Sequence, residues 1–395
     1  MDLTPSPDQE RLRAEFRDWL RANLPWEYGT GLPPRFDDPD EEVEFLRDWQ
    51  RKLHAAGWVA ITWPREYGGR GLGPVEHAIV QEELARARTP DPIARGGMQL
   101  AAPTIMTFGT DDQKTRWLPR IPPADEIWCQ LFSEPGAGSD LASLSTRAEQ
   151  VAGGWVLNGV KVWTSLAQWA DWGTALARSD PDAPKHKGIT YFVVDMHAPG
   201  VDVQPLRQIT DDSEFNQVFL TDVFVPDDSV LGPINEGWRV ANTNLAHERG
   251  VNPRQLVAHL RLCAELHRLA GDNGAYDDPR LAARLAQAYA EVKIYQLHNW
   301  RTLSRLAKGK EPGSEASVTK LYWSEMTKRL HDIAFDVLGP ASALWKGAAG
   351  NPGDGTWQRS YLFYQAASIF AGSNEIQRNL IGERILGLPR EPKSA

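Results

Sequence analysis

The sequence predicts an α+β multidomain protein, with a helical N-terminal domain, an antiparallel β-domain in the middle and a C-terminal four-helix bundle. The chain has 395 residues, which is longer than a chain that folds around one hydrophobic core, so two or three domains are expected. Helical spacing of apolar residues dominates both ends, whereas strand-like runs separated by turn residues fill the middle. We expect the domains to cover residues 1–124, 125–233 and 234–395.

Three helices are predicted in the first domain. Ser6 is suited to cap the first of them, and Pro7 occupies its first helical position. Its apolar residues recur at every fourth position and therefore form one stripe: Leu12, Phe16, Leu20 and Leu24. The same reasoning predicts helices over residues 41–56 and 75–87.

The middle region reads as short strands. Five apolar runs predict them, over residues 127–132, 154–163, 172–177, 189–196 and 218–225. No helical segment of crossover length separates these runs, so an antiparallel sheet is favoured over a parallel one. Asn158-Gly159 predicts a hairpin turn that places Trp163 on the returning strand.

Helical spacing returns near residue 236 and predicts four long helices in succession, which is typical of a bundle. We expect them over residues 238–270, 279–306, 314–338 and 356–386.

Composition excludes several classes of function. The formal net charge of −9, without a long basic run, argues against a nucleic-acid surface. No apolar run approaches the roughly 20 residues of a membrane-spanning helix, and the acidic N-terminus lacks a signal-peptide core, so we expect a cytoplasmic protein. The two cysteines form no CxxC and the nine histidines no HExxH, so no metal site is expected.

The segment 133–141, SEPGAGSDL, directly follows a predicted strand. Pro135, Gly136 and Gly138 favour a tight loop, whose backbone N–H groups can bind anionic or carbonyl oxygens. Taken alone, the same pattern fits an ordinary β-turn.

Trp163 admits two interpretations. It is either a core aromatic or a flat platform for a planar ring system, with Thr164 and Ser165 supplying hydrogen bonds at the edge of that ring.

A third segment, 369–391, carries a glycine inside a helical pattern. Gly372 indicates either the start of a helix or the close approach of a ligand. Ser373, with Glu375 nearby, resembles a helix cap at which an anion or a cofactor hydroxyl can bind.

These three segments, in this order and in this helix–sheet–helix frame, resemble the acyl-CoA dehydrogenase family across essentially the whole chain. Residues 57–72, 215–227 and Gly237-Trp238 are similar to further family motifs. The resemblance implies FAD as cofactor and the removal of two hydrogens from Cα–Cβ of an acyl-CoA thioester. A carboxylate takes the α-proton, hydride leaves to flavin N5, and electron-transferring flavoprotein is the implied acceptor.

The resemblance also implies roles for individual residues. It assigns to FAD Phe132, Ser133, Trp163, Thr164, Ser165, Ser373 and Glu375. It assigns to the substrate Ser139, Arg249, Ala371 and Gly372. Within these sets, Ser165 is expected near flavin N5 and Ser139 near the CoA moiety.

The catalytic base departs from the commoner family pattern. Many members carry a glutamate where this chain has Ala371. A minority place the base on an earlier helix in an acidic-residue–Arg pair, and Glu248-Arg249 is similar to that pair. Because two carboxylates facing one carbon would repel each other, a site normally keeps one, so we predict Glu248 as the base.

A second departure concerns neighbouring subunits. Family homotetramers contact the neighbour's FAD through an Arg and Phe-Gly segment that residues 267–279 lack, and through a Gln where this chain has Asp336. Both departures resemble subunits of heterotetrameric dehydrogenases and the branch acting on bulky or dicarboxylic acyl-CoAs. The chain is therefore expected in a homo-oligomer or in a heterotetramer with a related chain. A non-catalytic partner subunit and an acyl-CoA oxidase remain alternatives.

Overall fold

The computed structural model describes residues 5–248, 252–310, 313 and 315–390, with only the backbone for residues 246–248. Contacts within the chain define two compact units. The helical unit comprises Met1–Pro33, Gly73–Thr89 and Arg249–Ala395, and the β unit comprises Pro34–Leu72 and Pro90–Glu248. The predicted boundaries of three sequential domains stay a prediction.

The predicted N-terminal helices are present. They are α1 (Pro7–Asn23), α2 (Pro39–Ala55) and α3 (Pro74–Arg86), followed by the short α4 (Ala102–Phe108) and α5 (Asp111–Trp117). Ser6 caps α1 in a capping box with Gln9, as its position indicates. Within the helical unit, the buried carboxylate of Glu83 on α3 accepts hydrogen bonds from Arg13 and Arg17 on α1, at 2.8 and 2.9 Å.

The β unit is built on one seven-stranded sheet. Its strands are β1 (Trp128–Leu131), β2 (Arg147–Val151), β3 (Gly154–Ser165), β4 (Trp172–Arg178), β5 (Ile189–Asp195), β6 (Val201–Leu206) and β7 (Phe215–Pro226). The order is β1-β4-β2-β3-β7-β6, with β5 also paired to β4. The pairs β2–β3, β3–β7, β4–β5 and β6–β7 are antiparallel, whereas β1 and β2 lie parallel to β4. The antiparallel β-domain is confirmed, with this local parallel pairing as a refinement.

Strands β2 and β6 were not predicted from the sequence, because most of their side chains are exposed or half-buried. Only Ala148 is buried in β2, and no residue of β6 is buried. Such strands carry no run of apolar residues, so their pairing partners decide their conformation.

The prediction of a hairpin turn at Asn158-Gly159 was wrong. Strand β3 runs straight through these residues, and the turn of the β2–β3 hairpin is at residues 152–153. Asn158 instead lies opposite a bulge in β7, where its side chain accepts a hydrogen bond from the backbone N–H of Asp222 at 2.9 Å. A Cβ on Gly159 would lie 2.3 Å from the hydroxyl of Thr146, so close packing explains this glycine.

The C-terminal helices are α6 (Gly237–Glu248), α7 (Pro253–Asp272), α8 (Pro279–Leu306), α9 (Glu315–Leu338), α10 (Thr356–Tyr364) and α11 (Asn374–Leu380). The segment predicted as a single helix over 238–270 forms two helices, α6 and α7. Asn252 caps the second helix, and Pro253 has no N–H to donate the hydrogen bond that a continuous helix would need. The helix predicted over 356–386 is interrupted by left-handed residues at 371 and 372. Helices α7 to α9 enclose the core of the helical unit, with Leu266, Leu285 and Met326 fully buried.

Candidate active site

The predicted site residues fall into two groups, one in each unit. In the β unit, Phe132 and Ser133 directly follow β1. Phe132 is buried edge-on against Tyr191, with ring centroids 5.8 Å apart. The Ser133 carbonyl accepts a hydrogen bond from the N–H of Val162 on β3 at 2.8 Å. The loop after β1 is therefore tied directly to the strand that carries Trp163.

Beneath this loop lies a buried ion pair that the sequence analysis missed. The Lys161 ammonium lies 2.8 Å from the Glu134 carboxylate, and both side chains are almost wholly buried. Burial by itself would raise the pKa of Glu134, but the Lys161 charge and the hydrogen bonds from Ser145 and Thr146 lower this pKa to about 2. Burial lowers the pKa of Lys161, and the neighbouring Glu134 carboxylate opposes that shift. The sequence contained one signal for a buried Lys161: this residue lies at the same strand periodicity as Trp155 and Leu157, which face inward.

Trp163 is presented to solvent by a bulge in β3. Lys161 pairs with Val218 and Thr164 with Asn216, so β3 contains one more residue than β7 across this step. Trp163 lies in this bulge and adopts the left-handed conformation, at φ 60°. Its surface is 60% exposed. A non-glycine residue in this region is strained, and such strain concentrates at functional sites. The platform interpretation of Trp163 is therefore favoured over a core position.

The two residues after Trp163 differ in environment. Thr164 is 1% exposed, and its hydroxyl has no hydrogen-bond partner among the described residues. A buried hydroxyl without a partner is costly, so a ligand or a water molecule that bonds this group would stabilise it. Ser165 is exposed at the end of β3.

The glycine-rich loop forms a tight turn after Ser133. Glu134 and Ala137 exchange two backbone hydrogen bonds, at 3.0 and 3.1 Å. A Cβ at Gly136 or Gly138 would meet open space, so neither glycine is required by packing within the chain. Ser139 is exposed at the end of this turn.

The second group lies between α10 and α11 in the helical unit. Ala371 and Gly372 adopt left-handed conformations, at φ 54° and 84°. The backbone N–H groups of residues 371, 372 and 373 donate to no acceptor within the described ranges. Ser373 caps α11 through the N–H of Ile376 at 3.4 Å, and Glu375 is exposed beside Arg378.

A buried polar network fixes this left-handed segment. Asn374 is 1% exposed and accepts hydrogen bonds from Lys320 at 3.0 Å and Ser324 at 2.8 Å. Its amide donates to Glu325 at 2.6 Å. Gln377, fully buried, donates to the Gly372 carbonyl at 3.2 Å. The carbonyl of Gly372 is therefore held inside the unit by Gln377.

Glu248 is the last residue of α6, and its side chain lies outside the described residues. Arg249 lies outside them altogether. The roles predicted for both residues stay predictions.

Family models show what kind of protein this is. The N-terminal domain of acyl-CoA dehydrogenase matches residues 6–122, its middle domain residues 129–223 and its C-terminal domain residues 235–386. The chain belongs to the acyl-CoA dehydrogenase family. The resemblance, the fold class and the enzyme class predicted from the sequence are confirmed, as is FAD at the level of this family of flavoproteins.

Individual relatives extend over the whole chain. Acyl-CoA dehydrogenase IpdE1 of Mycobacterium tuberculosis is 42% identical over 98% of this chain and 99% of its own length. The solved "Tcur3481-Tcur3483 steroid ACAD" is 31% identical, with a TM-score of 0.85 over 99% of this chain and 100% of that one. The ChsE4-ChsE5 complex from Mycobacterium tuberculosis is also 31% identical, with a TM-score of 0.82 over the same shares.

No helix within the described ranges combines the length and the apolar character that crossing a bilayer requires.

Proposed function

We propose that this chain dehydrogenates an acyl-CoA thioester at Cα–Cβ, with Glu248 as the base and FAD as the acceptor of the hydride. FAD supplies a two-electron acceptor that no amino-acid side chain provides. The observation that carries the proposal is the bulge in β3, which exposes Trp163 next to a buried Thr164 hydroxyl that has no hydrogen-bond partner among the described residues. An exposed indole beside an unpaired buried hydroxyl fits a planar ring with polar edges.

Residues of the β unit have distinct roles in holding FAD. Trp163 contacts the ring system, while Thr164 and Ser165 supply hydroxyl groups beside it. Phe132 and Ser133 contact it from the loop that follows β1. Support comes from the hydrogen bond of 2.8 Å between Val162 and Ser133, which joins the two segments.

The segment at residue 371 is proposed to polarise the substrate. The α-proton of a thioester is barely acidic, so the developing enolate oxygen needs preorganised donors. The N–H groups of Ala371 and Gly372 have no acceptor within the described ranges, and the Asn374 network holds their segment in place. Ala371 contributes no carboxylate, which leaves the role of base to Glu248, with Arg249 and Ser139 contacting the substrate.

Replacement of Glu248 by Gln tests the base. We expect the variant to retain FAD and acyl-CoA binding but to lose about 10²–10⁴-fold in the rate of flavin bleaching by substrate, as is typical when a positioned base is removed. Glu236→Gln is the matched control, because Glu236 lies just before α6 and pairs with Arg239 at 3.0 Å. Equal bleaching rates in Glu248→Gln and the parent would show that the base lies elsewhere.

For the substrate, we propose a bulky polycyclic acyl-CoA. One relative at 31% identity is described as a steroid dehydrogenase, and the chain aligns with all of it. A screen of straight-chain and polycyclic acyl-CoAs, followed by flavin bleaching, tests this choice. A preference for straight chains of any length would contradict it.

A heterotetramer with a related chain is the proposed assembly. Asp336 on α9 pairs with Arg284 on α8, so the position where family homotetramers carry a flavin-binding Gln holds an ion pair of this chain. Two relatives at 31% identity are complexes of two different chains. The number of flavins per chain, measured alone and after co-expression with a related subunit, tests the proposal. One tightly held FAD in every subunit of a homo-oligomer would contradict it.

Electron-transferring flavoprotein is the proposed acceptor, in a cytoplasmic enzyme. Mixing the reduced protein with air separates this from an oxidase. Slow reoxidation in air and fast reoxidation by the flavoprotein are expected.

A further inference from the structure

We propose that the buried Lys161–Glu134 ion pair is a positioning device for FAD, which sets the two flavin-contacting segments of the β unit relative to each other. The inference rests on the proposed function. Neither residue is proposed to touch FAD, and both act through the backbone of their neighbours.

Lys161 connects three separate pieces of backbone. Its ammonium group donates to the Phe132 carbonyl at 3.3 Å, to the Leu176 carbonyl of β4 at 2.7 Å and to Glu134 at 2.8 Å. An ammonium has three protons, so these acceptors use its full donor capacity. The side chain is completely buried, and no water is needed to complete the set.

Glu134 anchors the other end of the pair. Its carboxylate accepts hydrogen bonds from the N–H and the hydroxyl of Ser145, at 2.6 and 2.7 Å, and from the N–H of Thr146 at 2.9 Å. Because Glu134 follows Ser133 in the chain, the carboxylate pins the loop after β1 to the turn before β2.

The position of the pair in sequence makes it a link between the two segments. Lys161 is the last residue before the β3 bulge, and Glu134 is the first residue after Phe132 and Ser133. Movement at either end of the pair therefore changes the separation of Ser133 from Trp163 and Thr164. A ring system contacted from both segments requires that separation to be constant.

A buried ion pair is by itself weak evidence for a stabilising role. Replacing a whole buried ion pair by neutral residues is often neutral or stabilising, whereas removing one partner leaves an unpaired buried charge. The fold alone does not require two charges at this place. The charges contribute directional hydrogen bonds to the Phe132 and Leu176 carbonyls, which an apolar pair cannot make.

The test is the double variant Glu134→Gln with Lys161→Met, which removes both charges. We expect a cooperatively folded protein whose flavin-free form melts a few degrees below the parent, because the Phe132 and Leu176 carbonyls lose a buried donor. We expect FAD to bind about tenfold more weakly or worse, as for the loss of one hydrogen bond, with a shifted visible spectrum of the bound flavin. Arg207→Met with Asp211→Asn is the matched control, because that pair is exposed in the same unit.

Glu134→Asp provides a second, milder variant should the double variant fail to fold. It keeps the charge but shortens the side chain by one methylene, and an intermediate loss of FAD affinity is expected. A folded variant of either kind with the parental FAD affinity and spectrum overturns the inference and leaves the proposed function standing. A parent that binds no FAD, alone or with a related subunit, overturns both.

Discussion

Replacing Trp163 by Gly should change flavin binding and protein stability in opposite directions. Trp163 adopts φ 60° at the β3 bulge and is 60% exposed. Glycine adopts this conformation without strain, so the flavin-free protein should become more stable by about 1 kcal/mol. The same change removes the proposed platform, so FAD should bind more weakly.

The size of the binding effect follows from exposed area. A tryptophan presents roughly 250 Å², of which 60% is exposed here, giving about 150 Å². One face of the indole, about half of that area, can contact a stacked ring. At about 25 cal/mol per Å², covering some 75 Å² contributes about 2 kcal/mol, or roughly a 30-fold change in Kd.

Two measurements on the same preparations test this prediction. Flavin-free Trp163→Gly is titrated with FAD by fluorescence quenching, and its thermal unfolding is followed by circular dichroism. Trp163→Ala keeps the strain and should lose FAD affinity without the gain in stability. Phe224→Ala is the control, because Phe224 is 49% exposed on β7 of the same sheet and is not part of the proposed site.

Parental FAD affinity in Trp163→Gly would refute the platform role of Trp163. A flavin-free Trp163→Gly that is no more stable than flavin-free Trp163→Ala would refute the claim that the bulge strains this residue, since both variants lose the contact with Phe215.

Three further outcomes are expected from the helical unit. Arg17 and its neighbours lower the pKa of the buried Glu83 to about 2. The stabilisation that the ionised Glu83 provides above about pH 4.5 should therefore be lost as pH falls toward 2. In denaturant unfolding, the free energy of unfolding should differ less between pH 6 and pH 3 in Glu83→Gln than in the parent. Asn374→Ala removes three hydrogen bonds, two of them buried, and should destabilise the protein by about 2–3 kcal/mol in denaturant unfolding. Gly372→Ala should lower the melting temperature by about 2 °C, because Gly372 has φ 84°. Gly271→Ala in α7 should raise the melting temperature, because open space surrounds this helical glycine. Equal effects of the two substitutions would contradict the claim that the left-handed backbone requires glycine at residue 372.

The sequence alone was sufficient for most long elements. Helices α1, α2, α3, α8 and α9 follow from helical periodicity, because each buries an apolar face, and strands β1, β3, β4, β5 and β7 follow from period-two or continuous apolar runs. The surface strands and the short helices have no such face. Asn158-Gly159 misled for a related reason, because the dipeptide that favours a turn also suits a strand opposite a bulge.

The sequence by itself determined the family and the absence of a carboxylate at residue 371, and it predicted the segments that bind flavin, because each is written in contiguous residues. Only the tertiary structure decided how those segments are held. Glu134 and Lys161 are 27 residues apart in the chain, and Lys320 and Asn374 are 54 apart. Nothing in the local sequence specifies such partners. The strained backbone at Trp163 is likewise a product of strand register, since a bulge exists only when a second strand fixes how many residues must oppose it.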